Sequence, residues 1–462
     1  MLTYDLSKEK GPIYQKLYEL IKQDICDGGL PSGQKMPSKR SFAKNMGVST
    51  ITVENAYDLL MSEGYLYSIP KKGYYVSKLD NVFLNRSSME TNLEIDAPKK
   101  EKDYFFDFSS NKILEGNFPF STWTKLMREV MSVREKDLLK ESPCGGVLEL
   151  RRAIANHLSS FRGMNVDPNQ IIVGAGTEYL YGMLIKLLGT EKLYGVENPG
   201  YRKILQVYES NGVTCELIDM DDYGVKVSPI RECKVDVMHL SPNHHFPTGI
   251  TMSLSRRYDL LNWVKESPHR YIIEDDYDSE FRLKGKPIPT LFGMDCGDKV
   301  IYMNTFSKSL TSTIRISYMV LPKQLANEYF KKLGFYSCTV STFEQYTLAS
   351  FIAGGYFEKH INRMRLKYGR KRANVLGIIR ECLGEEQCRI IENDSGLHLI
   401  LEFVTNKTDK QMEEELAKQR IRICAVTDYD MRNQRRNLHQ FILNYSNIDE
   451  DRLREVLLKL VL

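Results

Sequence analysis

Tyr271-Ile272-Ile273-Glu274-Asp275-Asp276-Tyr277 and Val300-Ile301-Tyr302-Met303-Asn304-Thr305-Phe306-Ser307-Lys308 decide the fold of most of this chain. Each starts as a short apolar run of strand length and ends in polar or ionisable residues. That is the pattern of a strand buried on both faces which delivers its chemistry at its carboxyl end. Working outward, Ile171-Ile172-Val173, Lys192 to Val196, Val235 to Leu240 and Tyr318-Met319-Val320 repeat the run, and helical segments such as Leu180 to Leu188 separate them. Strand and helix in alternation predict an α/β domain with a mostly parallel sheet covered on both faces. Ligands of such sheets sit beyond the carboxyl ends of the strands.

The ionisable residues gather at those ends. Gly174-Ala175-Gly176-Thr177 follows one strand and opens a helix, so backbone N–H groups and the Thr177 hydroxyl can hold a phosphate dianion at the positive end of the helix dipole. Asp275 can keep a pyridine nitrogen protonated, which makes the ring an electron sink. Tyr277, two residues on and on the same side of an extended chain, can donate to a phenolic oxygen of that ring. Lys308 must be neutral to attack an aldehyde, and a semi-buried place beside other cations lowers its pKa. Ser307 and Arg315 add a hydroxyl and a guanidinium for the phosphate. Tyr201, in Glu197-Asn198-Pro199-Gly200-Tyr201, can stack on the ring, and His244 and His245 are candidate acid–base groups. Together the set predicts pyridoxal 5'-phosphate held on Lys308.

The first 79 residues read differently. Ile13, Leu17, Leu20, Ile21 and Ile25 recur at helical spacing up to Gly28-Gly29. Ser38 is a good N-cap for a short helix Lys39 to Met46; Gly47-Val48 turns the chain, and Ser49 caps a longer helix to Glu63. Tyr65-Leu66-Tyr67 and Tyr74-Tyr75-Val76 predict two strands around the basic turn Lys71-Lys72-Gly73. Helix, short helix, tight turn, long helix and basic hairpin make a winged helix-turn-helix. Its second helix enters the major groove of double-stranded DNA by its N-terminal end, where Ser49, Thr50, Thr52 and Asn55 reach base edges or phosphates. Lys39, Arg40, Lys71 and Lys72 bind the phosphate backbone, and Ser38 and Gly73 complete the expected DNA-binding set.

Bulk properties agree with a folded protein of one small and one large domain. The chain has 462 residues, 42% hydrophobic and 27% charged, with a net charge of +4. Residues 1–79 hold 11 Lys+Arg against 8 Asp+Glu, a balance of +3, so most of the excess lies in the DNA-reading segment. Residues 80–103 are polar and of mixed charge, without periodicity, and read as a linker; residues 104–462 form the large domain. No apolar run approaches a membrane span and the start carries no leader pattern, so a cytoplasmic location is expected. Nine cysteines form no C-x-x-C pair and have no His cluster beside them, which argues against zinc, any other metal and a disulfide framework.

The stretch Met36-Pro37-Ser38-Lys39-Arg40-Ser41-Phe42-Ala43 with Val48-Ser49-Thr50-Ile51-Thr52-Val53 resembles the winged helix of the GntR regulators. With Gly174 to Thr177, Glu197 to Tyr201, Pro242, Pro247-Thr248-Gly249, Glu274 to Phe281, Ser307-Lys308 and Arg315, the whole chain resembles the MocR/GabR subfamily. The resemblance implies a fold-type-I aminotransferase-like domain with a smaller C-terminal α+β part, a Schiff base on Lys308 paired with Asp275 and Tyr277, and a domain-swapped homodimer on operator DNA. It also implies a regulator that senses pyridoxal phosphate or an amino compound. The alternative is a working aminotransferase that carries a DNA-binding domain. Thr50 stands where Arg is common, Glu54 where a basic residue is frequent, Lys203 where Arg is frequent, His245 where Gln is frequent and Ser317 where Gly is common. An effector carboxylate needs an arginine; Arg435 and Arg436 are the candidates, with Arg422 a third.

Overall fold

The computed structural model describes residues 2–6, 11–78, 104–110, 116–283, 288–391 and 395–460. The expected linker, residues 80–103, lies outside the described residues. The chain divides into two compact units, Met1–Glu101 and Lys102–Leu462.

In the first unit, helix Ile13–Cys26 turns Leu17, Ile21 and Ile25 inward, as spacing three or four apart dictates, while Ile13 stays half-exposed. Helix Lys39–Met46 starts where the Ser38 hydroxyl accepts the Ser41 N–H, and it ends at Gly47 in the left-handed region. Helix Thr50–Ser62 starts on Ser49 in the same way and buries Val53, Ala56, Tyr57 and Leu60. Strands Leu66–Ile69 and Gly73–Val76 pair antiparallel, Leu66 opposite Val76, with Lys71 at a left-handed φ of 62° in the turn. The three helices and the hairpin share one core built around Phe42, Tyr57, Leu60 and Val76.

The second unit is built on an eight-stranded sheet. In spatial order its strands are Ile171–Gly174, Ser317–Val320, Val300–Thr305, Tyr271–Asp275, Val237–Leu240, Tyr194–Asn198, Cys215–Asp221 and Gly224–Val225. The five strands from Val300–Thr305 to Cys215–Asp221 run parallel to their neighbours; Ser317–Val320 is antiparallel to both of its own. The reason is chain length: only residues 306–316 join Val300–Thr305 to Ser317–Val320, too few for a helical crossover. The central strands are buried along their length, as expected for a sheet covered on both faces.

Helix Tyr356–Gln387, interrupted at Gly384, leads into a smaller antiparallel sheet of Cys388–Ile391, His398–Phe403 and Gln440–Asn444. Strand Ile421–Arg422 pairs separately with Phe106–Asp107.

Candidate functional site

Strand register brings the two decisive stretches together. Val300–Thr305 lies parallel beside Tyr271–Asp275 with Met303 opposite Asp275, so Asp275 and the turn carrying Lys308 leave the sheet at the same edge. The Thr305 hydroxyl accepts the Ser307 N–H and turns the chain into Phe306–Ser309. Lys308 is half-buried there. Burial pushes its ammonium pKa down, against the opposing charge of Asp278.

Three carboxylates stand in a row, and their surroundings separate them. Alternation along the strand sends Glu274 and Asp276 to one side and Asp275 to the other. Glu274 accepts the Leu291 and Phe292 N–H groups at 3.0 and 2.9 Å. Asp276 is ion-paired with Arg162 and accepts from Tyr302 and Asn243 at 2.7 Å each. Asp275 Oδ2 accepts the Tyr181 hydroxyl at 2.6 Å and lies 3.6 Å from His239 Nε2, but Oδ1 is buried without a partner. A buried carboxylate oxygen in that condition fits a ring N–H donor.

The turn expected to hold a phosphate is tightly built. Gly176 has φ 95°, and a Cβ on it would collide with the Arg315 guanidinium, so Arg315 lies directly over the start of helix Thr177–Leu188. Arg315, itself left-handed at φ 51°, is held by Glu178 at 3.3 Å, and Glu178 also pairs with Lys203. The hydrogen bond from Lys203 keeps the Glu178 carboxyl below its ordinary pKa. Unpartnered Asp275 Oδ1, the crowded Gly176 turn and a lysine of lowered pKa together fit pyridoxal phosphate.

The Tyr277 hydroxyl donates to the His244 carbonyl oxygen at 3.0 Å. Tyr201 is half-exposed and meets Phe246 edge-on, with 6.0 Å between ring centroids. His244 Nδ1 is 2.7 Å from Asp278 Oδ2, and its ring packs on His398 at 4.4 Å. His245 is buried between Thr248 and Glu197, its pKa pushed down to about 3 by burial and by the charges of His244 and Arg435. Glu197 is pushed up to about 8 by burial.

The candidate arginines separate as well. Asp430 accepts the N–H groups of Arg432, Gln434 and Arg435 and the side-chain amide of Asn198, which ties their loop to strand Tyr194–Asn198. Arg435 is half-buried and its charge is felt by His245; Arg436 is exposed; Arg422 faces Asp107 and Tyr104. Tyr181, His239, Glu197, Asp278, His398 and Asp430 were not singled out by sequence as partners in the site. His239, His398 and Asp430 come from distant segments, whereas Tyr181 lies one helical turn beyond Thr177, Glu197 opens the stretch that ends at Tyr201 and Asp278 directly follows Tyr277.

On the DNA-reading unit, Arg40, Lys71 and Lys72 are exposed. Lys39 instead pairs with Glu54 at 2.8 Å and Asp58 at 3.6 Å and lies over Tyr74. Ser38 and Ser49 spend their hydroxyls on helix caps, and Thr52 Oγ1 is 2.7 Å from Ser49 Oγ. Thr50 and Asn55 are exposed, and Gly73 has a positive φ of 117° in the wing turn.

Residues 13–76 match the model of the bacterial regulatory proteins of the gntR family, and residues 104–456 match aminotransferase class I and II. The chain is 36% identical to the uncharacterized HTH-type transcriptional regulator YdeL of Bacillus subtilis, over 97% of this chain and 96% of the relative. It is 29% identical to the probable rhizopine catabolism regulatory protein MocR of Rhizobium meliloti, over 96% and 92%. Kynurenine aminotransferase of Pyrococcus horikoshii superposes with a TM-score of 0.68 at 25% identity, over 78% of this chain and 90% of that one. With a DNA-reading head of one family and a sheet domain of the other in a single chain, this protein belongs to the MocR/GabR subfamily of GntR transcriptional regulators.

Proposed function

We propose that this regulator binds pyridoxal 5'-phosphate on Lys308, responds to that cofactor or to an amino compound, and passes the response to operator DNA as a homodimer in the cytoplasm. The observation that carries the reading is the contrast among Glu274, Asp275 and Asp276: two are saturated by protein donors, and the third keeps a buried oxygen free at the edge that carries Lys308. When bound, pyridoxal phosphate supplies an aldehyde for amines and a ring that stores electrons. Asp275 would hold the ring nitrogen protonated, with Tyr181 and His239 fixing the carboxylate. Thr177, Ser307 and Arg315 would hold the phosphate beside Gly176, Tyr277 the phenolic oxygen, and Tyr201 one face of the ring. Arg435, half-buried and with its charge reaching His245, would take an effector carboxylate.

An effector shifts DNA affinity only if it binds the two states of the protein unequally. The test is spectroscopic and electrophoretic together. Purified protein mixed with pyridoxal phosphate is expected to develop the visible absorbance of a lysine-bound cofactor and to retard DNA from upstream of its own gene. Amino compounds are then screened for changes in both signals. No absorbance in wild-type protein would overturn cofactor binding. Multiple turnover with an amino acid and a keto acid would overturn the regulator-only reading in favour of a working aminotransferase.

A further inference from the structure

Ile51 lies on the outer face of the second helix of the helix-turn-helix. Helix Thr50–Ser62 turns Val53, Ala56, Tyr57 and Leu60 into the core, and at 100° per residue the opposite face carries Ile51, Asn55 and Asp58, all exposed. Ile51 is 68% exposed, more than Ile13 at 48% or Tyr67 at 43%, the other exposed large hydrophobic side chains among the described residues of this unit. It adds nothing to the core, and a β-branched residue is no aid to the first turn of a helix. A lone exposed isoleucine needs no explanation on an ordinary surface. This one sits in the first turn of the helix that a helix-turn-helix lays in the major groove.

Its neighbours narrow what that turn can read. Ser49 and Thr52 are engaged with each other and with the cap, and Glu54 is held by Lys39. Thr50, Ile51 and Asn55 remain free to face bases. Ile51 and Asn55 are one turn apart, with Cβ atoms about 5–6 Å from one another, less than two base steps of about 3.4 Å. An amide recognises adenine through N6 and N7, and the apolar group that the major groove offers is the 5-methyl of thymine.

We propose that Ile51 is a base-reading residue whose side chain packs on a thymine 5-methyl group one or two base pairs from the adenine contacted by Asn55. The proposal rests on the DNA-binding reading above. It makes the operator half-site A/T-containing beneath the first turn of this helix.

The full chain is used to select preferred sites from a random duplex library, and each thymine of the selected site is then replaced singly by deoxyuridine, which removes only the methyl group. Wild-type protein is expected to lose about fourfold in affinity at one or two positions, the equivalent of one buried methylene. Ile51→Ala, weaker on the parent duplex, loses nothing further at those positions, Ile51→Val keeps part of the effect, and Asn55→Ala keeps it whole. The position is exposed, so unchanged melting of Ile51→Ala is the folding control. Equal deoxyuridine effects in wild type and Ile51→Ala at every thymine would overturn the methyl contact alone. Failure of wild-type protein to select any duplex would overturn the DNA reading together with it.

Discussion

Lys308 and Glu197 illustrate burial acting in opposite directions on two charges. Lys308 loses its proton more readily than a free lysine, so absorbance of the bound cofactor is expected to rise with pH through a midpoint below that of an ordinary lysine amine. Lys308→Ala should abolish the band at every pH. Glu197 binds its proton more tightly folded than unfolded, up to about pH 8, so the native state loses stability as pH rises from the ordinary glutamate range to about 8. Glu197→Gln removes the titration. It should melt like wild type at pH 5 and be more stable by over about 1 kcal/mol at pH 8.5 in urea titrations, the slope being about 1.4 kcal/mol per pH unit at most. Asp275 was legible because it ends an apolar strand, but what distinguishes it from Glu274 and Asp276 was not. Its partners Tyr181 and His239, and the donors that saturate its neighbours, come from elements far away in sequence.

Elements were legible where local chemistry sets them. Ser38, Gly47 and Ser49 mark helix ends by hydrogen bonding and backbone freedom that act within four residues, and the structure starts and stops its helices there. Ser38→Ala should therefore cost about 1 kcal/mol of thermal stability in this unit. Strand Cys215–Asp221 was not legible, because Glu216, Asp219 and Asp221 interrupt its apolar pattern beside the short outermost strand. The antiparallel course of Ser317–Val320 was hidden for another reason, since a strand's direction depends on the length of its connection rather than on its own residues. Asp430→Ala leaves four donors without their acceptor and frees Arg435, so the spectral response to carboxylate-bearing amines should weaken more than tenfold while the cofactor band remains.

DNA affinity should fall steeply with salt, because phosphate contacts release counterions. Arg40→Ala and Lys72→Ala should each reduce the salt slope by roughly one without changing base preference, whereas Thr50→Ala and Asn55→Ala should change preference and leave the slope alone. Mobility shifts at several salt concentrations separate the two classes, and identical behaviour of all four variants would overturn the assignment. Glu178 has a bearing on when the regulator fills at all. Its carboxylate sits on Arg315, so on the proposed reading an incoming phosphate would have to displace it, leaving it with Lys203, and residue 178 would set a concentration threshold. Glutamine in its place should lower the amount of pyridoxal phosphate needed for half-saturation, most visibly at low ionic strength, and so retune the sensor without touching any group that holds the ring.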